Sequence, residues 1–514
     1  MSCSCTKMKK EKILRNILAN YWNKYPLLFV LVTGAIVRLL AVFFSKGYGM
    51  HDDHFLVVEA AQSWVDGFDY NNWLPKNRPD NIPTGHSFFY VGLHYLLFSV
   101  LQFFKIHDPQ FKMLIVRLLH AIYSLSIIYY GYKIAYKAAG KIVARNVGIF
   151  LALLWFFPNL SVRNLVEFVC IPPLLYSTWI LFKNENKGSY IPFLIAGAIA
   201  GVAVSIRFQS IIFVGGLILV VFINRKFLGT FLFISGVLIA VFLTQATDLF
   251  TWGRPFAEFT EYIRYNINHA YQYLTQKWYM YLLFISGMLI PPISLYLIFG
   301  FIRNWRKYLI LFLPATLFLV FHSAFPNKQE RFILPVIPFI IILGLIGWQQ
   351  FLDTSNFLRK KREILKSTWI FFWIINSILL VPVSIAYSKK SRVESMIYLS
   401  KQDDFRNFVI ESSHKSDYTL LPLFYLNKWV SYAPVTGNNP LSNIVKYYDS
   451  YNKPNYVIFW EDIGLENRMQ EFRNSFPSIQ FEAKILPSFI DRFMHFLNPG
   501  HLKMEIVYIY KIPE

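Results

Sequence analysis

Residues 26–55 read PLLFVLVTGAIVRLLAVFFSKGYGMHDDHF, and this stretch decides the class of fold. Residues 26–45 carry no charge except Arg38, and about 20 largely apolar residues are what an α-helix needs to cross a bilayer. Asp52 and Asp53 then stand between two histidines where that helix would reach water. Charges at such a boundary are costly unless they cap a helix, bind a cation or carry chemistry. The stretch therefore predicts a membrane anchor followed at once by a polar site.

The composition of the whole chain is typical of a polytopic membrane protein. Of its 514 residues, 55% are hydrophobic and only 16% are charged, which differs from the balance of soluble domains. The formal net charge is +21, but Lys and Arg form short clusters between apolar runs. This pattern indicates cytoplasmic loops rather than a nucleic-acid-binding face. The three cysteines, Cys3, Cys5 and Cys170, offer no disulfide framework.

The positive clusters predict the topology. Residues 1–25 form a basic cytoplasmic tail, the first span runs outward, and residues 46–112 form the first outer loop. Residues 86–104 are apolar enough to cross, but a crossing there would place the cluster Lys133, Lys137, Lys141 and Arg145 outside. A juxtamembrane helix along the interface keeps that cluster inside. The later spans are predicted at 113–132, 146–157, 167–182, 191–206, 208–223, 229–246, 279–301, 308–325, 332–350 and 368–387.

This assignment predicts a polytopic α-helical membrane domain with a small α/β domain after it. The membrane domain covers 26–387 with about eleven spans, and residues 388–514 have the composition of a soluble, extracytoplasmic domain. In that domain strands are predicted at 418–423, 429–432, 456–460 and 506–510, and helices at 391–411 and 464–475.

Several charged residues lie on the predicted outer side, where the positive-inside rule does not account for them. For Asp52 and Asp53, a general base or cation ligand is one interpretation and a solvated helix cap is the other. A metal site is less favoured, because four consecutive side chains cannot all point inward from a helix. Lys328 and Arg331, three residues apart, either clamp one phosphate or extend to lipid headgroups. Trp252 fits a sugar platform or an interface anchor.

These pieces, in this order, resemble the GT-C superfamily of polytopic glycosyltransferases. They look most like glycosyltransferase family 22, the mannosyltransferases of lipid-linked oligosaccharide and GPI-anchor assembly. Arg38 and residues 51–55 (HDDHF) stand where the family has an Arg in the first span and then a His-Pro-Asp-Glu-aromatic motif. Residues 248–255 (DLFTWGRP) match a family motif that begins with Asp and continues through an aromatic-Gly-basic-Pro turn.

Two further stretches carry the resemblance. Residues 327–332 (NKQERF), followed by Pro335 and Pro338, match the family's His-Lys-Glu-Glu-Arg-Phe with two spaced prolines. Arg163 with Glu167 resembles an Arg-Asn-Glu pattern at the mouth of a middle span. The chain departs from the family at three positions, where His54 replaces Glu, Asn327 replaces His and Gln329 replaces Glu.

The resemblance implies the transfer of a sugar, with inversion, from a polyprenyl-phosphate donor to a lipid-linked glycan or similar acceptor on the outer face. In this family the sugar is mannose. The resemblance makes Asp53 the base, with Asp52 as second candidate, and gives the leaving phosphate to Lys328 and Arg331. No cofactor is implied, and a divalent metal stays open. Short loops and modest length indicate a bacterial relative in the inner membrane. Substrate positioning falls to His51, His54, Arg163, Glu167, Arg207, Asp248, Trp252, Arg254 and Glu330.

Other functions stay open. Within the enzyme class, a GT-C transferase could move another sugar to protein or to a lipid headgroup. From a different class, a flippase or transporter of lipid-linked glycans would line a path with these charges, but they cluster on one side, and spans such as 208–223 and 308–325 offer almost no polar path. A scaffold with a partner-binding outer domain would leave the outer charges without a role.

Overall fold

The computed structural model describes residues 21–78, 80, 82–185, 188–412, 420–435, 453–499 and 504–513. Most of the predicted basic tail, residues 1–20, lies outside them. The chain divides into two compact units. The first comprises Met1–Val42, Leu74–Tyr90 and Arg117–Ser384, and the second comprises Phe43–Trp73, Val91–Val116 and Ile385–Glu514.

Long apolar helices dominate the chain, because a helix satisfies its backbone hydrogen bonds internally, as lipid requires. In the described part of the chain, six are long and apolar enough to cross a membrane, or up to seven if Met280–Met288 and Ile293–Arg303, bent by 118°, form one span. The six are Pro26–Phe44, Pro109–Leu153, Val166–Lys183, Phe227–Trp252, Glu330–Thr354 and Arg362–Ser384. Shorter apolar helices are Phe88–Phe103, Ile191–Ile206, Ser210–Ile223 and Leu309–Ala324. The number of about eleven spans remains a prediction.

Several of these candidates contain a break, and other helices are short. Val166–Lys183 consists of Val166–Val169 and Ile171–Lys183, and Phe227–Trp252 of Phe227–Thr244 and Ala246–Trp252. Glu330–Thr354 begins with a 3₁₀ turn, Glu330–Val336, and continues as Ile337–Thr354. The remaining helical segments up to residue 384 are His51–Asp53, His54–Glu59, Ala60–Val65, Pro75–Asn77, Phe157–Leu160, Ala257–Asn268 and Asn356–Lys360.

Gly140 divides Pro109–Leu153 into two arms. Its φ of 78° lies in the left-handed region that favours glycine. The arm before it runs antiparallel to Pro26–Phe44, since Arg38 Nε donates to Ser124 Oγ at 2.9 Å and Arg117 Nε donates to the Val42 carbonyl at 2.7 Å. The chain reverses at Gly140, so the second arm runs parallel to Pro26–Phe44.

The basic cluster after that reversal lies beside the start of the first span. Arg145 donates to Asn23 Oδ1 at 3.0 Å and stands over the Trp22 ring, while Lys141 bonds the Asn23 carbonyl. Residues 23 and 141 therefore share one end of the first unit. The juxtamembrane role of Phe88–Phe103 remains a prediction.

Other basic residues predicted on the cytoplasmic side bond to the ends of neighbouring helices in the first unit. Lys137 bonds the Phe182 carbonyl, and Lys226 bonds the Glu185 carbonyl. Tyr308, next to the basic group 303–307, donates to the Ala138 carbonyl at 2.8 Å. Lys187 of the same prediction lies outside the described residues.

Glycines hold Ile293–Arg303 against Ile337–Thr354. A Cβ at Gly344 would lie 2.6 Å from the Leu297 carbonyl oxygen, and one at Gly300 or Gly347 would collide with the facing backbone. Small residues allow this close backbone approach between membrane helices. The contact fixes the helix that continues from Glu330–Val336.

The second unit contains a five-stranded sheet. Its strands are β1 (Phe408–Ser412), β2 (Ala433–Val435), β3 (Tyr456–Trp460), β4 (Gln480–Ile485) and β5 (Val507–Lys511), and its helical segments are Lys390–Ser400, Leu423–Leu426, Leu465–Ser475 and Phe489–Leu497. The strand order is β2-β1-β3-β5-β4. The β1 strand pairs with β2 and β3 in parallel, and β5 pairs with β3 and β4 antiparallel. Val457, Phe459, Met469 and Phe472 lie in the apolar core on one face.

The small α/β domain is confirmed, but several of its elements differ from the prediction. The strand predicted at 429–432 is absent there, and the neighbouring β2 covers Ala433–Val435. Residues 408–412, predicted within a helix, form the fully buried strand β1. The prediction was wrong because a run of only five residues has no period that separates strand from helix. Leu423–Leu426 is a 3₁₀ turn rather than the end of a strand, and residues 418–419 lie outside the described part. The prediction omitted β4 and Phe489–Leu497.

In the second unit, the segment that follows the first span pairs with the segment that follows the last. Gly47 and Ser388 form a parallel bridge, and Ser45 Oγ donates to the Ala386 carbonyl at 3.3 Å. Gly47 has a φ of 74°, and a Cβ there would collide with the Ser388 carbonyl. A glycine is therefore required at this position.

Candidate active site

Glu167 is the carboxylate at the centre of a charged cluster in the first unit. It is buried at the start of Val166–Val169, its Oε1 atom pairs with Arg207, and the same atom lies 3.6 Å from Arg331 Nε. Arg207 ends helix Ile191–Ile206 with an extended backbone. Arg331 Nε also donates to Gln329 Oε1 at 2.8 Å, within the turn that opens the next helix.

The Phe332 ring lies against both guanidinium groups of this cluster. The guanidinium carbons of Arg207 and Arg331 lie 5.3 Å and 5.5 Å from its centre, within the range of cation–π attraction. The two guanidinium groups repel each other because they carry like charges. The attraction of each to the Phe332 ring offsets part of that repulsion. The turn after residue 329 therefore places one aromatic ring against two cations.

Lys328 adds a third cation on the same loop of the first unit. Its side chain is only 2% exposed, its Nζ atom donates to the Phe325 carbonyl, and it faces the Tyr281 ring at 6.0 Å. Burial lowers the pKa of Lys328. The loop is held in place because the Lys328 amide donates to the Leu274 carbonyl at 3.1 Å. Glu330 beside it is exposed.

A second buried carboxylate, Glu258, organises the neighbouring loops of the first unit. Its Oε2 atom accepts from Thr84 Oγ1 at 2.8 Å, from the Gly85 amide at 2.6 Å and from the His86 amide at 3.2 Å. Its Oε1 atom accepts from Trp252 Nε1 at 2.8 Å. Burial raises the pKa of Glu258, although the hydrogen bonds from Thr84 and Gly85 oppose this shift.

The residues predicted in the 248–255 motif are placed by this carboxylate. Asp248 is fully buried, and its Oδ2 atom accepts from the Glu258 amide at 3.0 Å. Trp252 is buried with its indole N–H on Glu258. Gly253 then takes a φ of 65°, and Arg254 is exposed just after it. Arg163 is buried elsewhere in the same unit.

The stretch His51–His54 lies in the second unit and turns from an α-helical to a π-helical segment. His51 is exposed and Asp52 partly exposed, whereas Asp53 and His54 are buried. The π-helical segment His54–Glu59 begins directly after Asp53, and such turns often occur at functional sites. The four side chains thus do not share one environment.

His54 stacks between two tyrosine rings and approaches Glu59. The Tyr48 and Tyr425 rings lie nearly parallel to it, with centroids 4.6 Å and 5.5 Å away. His54 Nε2 lies 3.4 Å from Glu59 Oε1, and that oxygen accepts from the Phe424 amide at 3.0 Å. Among the described residues, no group of three or more His, Cys, Asp or Glu side chains is placed to hold a metal ion.

Residues 28–416 match the sequence model of the Alg9-like mannosyltransferase family. The chain belongs to this family. The match includes Asp53 and Glu258 as well as the arginines around Glu167, so both clusters lie within the Alg9-like region. The predicted resemblance to glycosyltransferase family 22 is confirmed. A search of curated protein sequences finds none that matches the chain.

Solved structures with a similar fold are GT-C enzymes. ArnT from Cupriavidus metallidurans in the apo state is 13% identical with a TM-score of 0.59, over 96% of this chain and 98% of that one. ArnT bound to undecaprenyl phosphate is 12% identical with a TM-score of 0.58, over 94% and 97%. The Archaeoglobus fulgidus oligosaccharyltransferase with Zn and sulfate is 11% identical with a TM-score of 0.50, over 84% and 68%. Fold and family together make this Alg9-like protein a membrane glycosyltransferase.

The structure brings Glu167, Arg207, Lys328 and Arg331 together in the first unit, and His51 to His54 in the second. Sequence reasoning did not identify Glu258 or Glu59. Glu258 accepts from amides that lie 173 and 172 positions away, and Glu59 accepts from an amide 365 positions away. Neither residue stands in a motif of its own, so only the fold reveals its partners.

Proposed function

We propose that this protein transfers mannose from a polyprenyl-phosphate donor to a hydroxyl of a lipid-linked glycan, on the extracytoplasmic face of a bacterial inner membrane. The observation that carries the proposal is the excess of positive charge around Glu167. Arg207, Arg331 and Lys328 gather near loop ends of a membrane unit with one buried carboxylate pairing the two arginines. A phosphate is the anion that such a cluster suits best.

The similarity to ArnT supports a lipid phosphate as the ligand. ArnT from Cupriavidus metallidurans has this fold and binds undecaprenyl phosphate in its solved structure. Lys328 is buried and its pKa is lowered by burial, so an incoming phosphate would stabilise its charged form. Lys328 and Arg331 are thus proposed to hold the phosphate of the donor and of the leaving group.

The proposed reaction is a single displacement with inversion. Asp53 takes the proton of the acceptor hydroxyl while its oxygen attacks the anomeric carbon. The bond between that carbon and the phosphate oxygen breaks, and the polyprenyl phosphate leaves with the electron pair. Its negative charge is stabilised by the cations of the cluster. No organic cofactor takes part in this chemistry.

The other predicted site residues receive supporting roles in this proposal. Glu167 and Arg207 position Arg331. Asp248 and Trp252 act through Glu258, which fixes the backbone of residues 84–86. The exposed His51, Arg254 and Glu330, together with Asp52, His54 and Arg163, are proposed to orient the sugar or the acceptor.

The test is a transfer assay in lipid nanodiscs with a panel of polyprenyl-phosphate sugars. The wild-type protein should consume the mannosyl donor, and Asp53→Asn should reduce turnover by about 10²–10⁴-fold, the usual contribution of a general base. Asp52→Asn is the matched control and should retain more activity. Full turnover by Asp53→Asn with an unchanged unfolding transition would exclude Asp53 as base. Consumption of a nucleotide sugar instead would refute the donor class.

A further inference from the structure

Helix Phe489–Leu497 of the second unit, with sequence FIDRFMHFL, is amphipathic. At 3.6 residues per turn, its apolar side chains Phe489, Ile490, Phe493, Met494, Phe496 and Leu497 share one face. Asp491, Arg492 and His495 lie on the other. Ser488 caps the helix start, since its Oγ atom accepts from the Asp491 amide at 3.1 Å and its own amide donates to the Asp491 side chain at 3.4 Å.

The helix turns its apolar face outward. Phe489, Phe496 and Leu497 are 70%, 79% and 60% exposed, whereas Asp491 and His495 are partly buried. A surface helix of a soluble domain shows the opposite arrangement, with its apolar stripe on the core. In the described part of the chain this helix has no buried side chain. Its exposed aromatic face is therefore suited to contact with an apolar surface.

The polar face turns toward charged residues of the domain. Burial raises the pKa of Asp491, whereas its hydrogen bonds with Ser488 and the opposite charge of Lys389 lower it, and the like charge of Glu505 raises it further. Glu505 is itself paired with Arg392 and Lys389. The start of the helix therefore lies near Lys389, the residue just before Lys390–Ser400.

Lys389 follows closely on a candidate membrane span. Lys389 follows Ser384, the last residue of the apolar helix Arg362–Ser384, by five residues, a stretch that reaches at most about 18 Å. That helix is a candidate membrane span. The start of Phe489–Leu497 consequently lies near a residue close to the place where the chain leaves the membrane.

We infer that Phe489–Leu497 is an interfacial membrane anchor of the C-terminal domain. It lies in the lipid boundary with its aromatic face about 5–10 Å deep among headgroups and acyl chains, as interfacial amphipathic helices do. Arg492, at the edge of the apolar face, extends to the headgroup phosphates. The inference depends only on the protein being integral to a membrane and is independent of the proposed donor and base.

The test uses a nitroxide label on the full-length protein in phosphatidylcholine nanodiscs. The native Cys3, Cys5 and Cys170 are replaced, and the label is attached through Phe496→Cys. A matched control carries it through Asn474→Cys, at an exposed position of helix Leu465–Ser475. The label at 496 should be more accessible to oxygen than to a water-soluble nickel chelate, and the label at 474 should show the reverse.

Two outcomes would overturn the inference. Equal nickel accessibility at 496 and 474 would place the helix in water. Low accessibility of 496 to both quenchers would mean that protein, such as a second copy, covers the face.

A second measurement keeps the native cysteines. Phe493→Glu together with Phe496→Glu should speed amide exchange in 489–497, whereas Ile463→Glu, at another exposed apolar residue of the domain, should not. Unchanged exchange in the double variant would also refute the inference.

Discussion

The Nε2 atom of His54 lies 3.4 Å from the Oε1 atom of Glu59, and both side chains are almost completely buried in the second unit. The same oxygen accepts the Phe424 amide. Glu59 thereby connects the helical turn after Asp53 to the 3₁₀ turn Leu423–Leu426. The backbone at Asp53 is fixed by a contact with the far end of the sequence.

Glu59→Ala should lower the free energy of unfolding by about 1–3 kcal/mol, because the buried Phe424 amide loses its acceptor. Glu59→Gln keeps an oxygen there and should lose less. Denaturant titration of the purified protein in detergent measures both values. An equal loss in the two variants would mean that the charge next to His54, rather than the bond to Phe424, provides the stability.

Arg331→Ala should raise the apparent KM for the polyprenyl-phosphate donor about tenfold or more, since a hydrogen bond to a charged group contributes about 1.5–3 kcal/mol. Arg331→Lys should lie between this variant and the wild type, because lysine keeps the charge and loses the planar fork. Steady-state kinetics over a range of donor concentrations measures the effect. Lys401→Ala, on the exposed surface of the C-terminal domain, is the control. An unchanged KM for donor would contradict phosphate binding by Arg331.

Glu167→Ala should destabilise the protein by about 3–5 kcal/mol, the usual cost of removing one partner of a buried ion pair. Arg207, only 4% exposed, would then lack its carboxylate partner. Glu330→Ala removes an exposed carboxylate nearby and should change stability by about 0.5 kcal/mol or less. Similar losses in the two variants, compared by thermal unfolding, would show that the Glu167 pair contributes little.

Acidification should weaken the contact between Glu505 and Arg392. Burial acts to raise the pKa of Glu505, but hydrogen bonds from Arg392 hold it below its usual range. A lowered folded-state pKa means that the stabilisation is complete above the unfolded value of 4.5 and is lost as the pH falls through the folded value. Thermal unfolding between about pH 6 and pH 3 should show a smaller acid-induced fall for Glu505→Gln than for the wild type. Parallel curves would refute the assignment.

Trp252→Phe should cost about 1–3 kcal/mol of stability, because the indole N–H bond to Glu258 is lost and the smaller ring leaves a cavity. Glu258→Ala should cost more, since it leaves Trp252, Thr84 and the Gly85 amide without their acceptor. Unfolding in denaturant compares the two. If Trp252→Phe instead leaves stability intact and raises the KM for a sugar substrate, Trp252 acts as a sugar contact and its bond to Glu258 is incidental.

The membrane helices and the charged motifs could be predicted from the sequence, because lipid requires long uncharged helices and makes every exceptional charge conspicuous. The charges of Asp53, Lys328 and Arg331 drew attention in this way, and their roles remain predictions. Glu258 did not, because its role rests on backbone amides of a distant loop. Helix Phe489–Leu497 was missed because a nine-residue run is short for a period to identify it, and the outward direction of its apolar face is visible only in the structure.

The pairing of Gly47 with Ser388 can form only after most of the chain has been synthesised. Glu59 leaves the ribosome 365 residues before its partner Phe424, a delay of about 20–70 s at ordinary rates of about 5–20 residues per second. During that time Asp53 and His54 have been synthesised but Tyr425, whose ring stacks on His54 in the folded protein, has not. The folded surroundings of Asp53 and His54 are thus complete only in the last quarter of translation, after the membrane helices have been made.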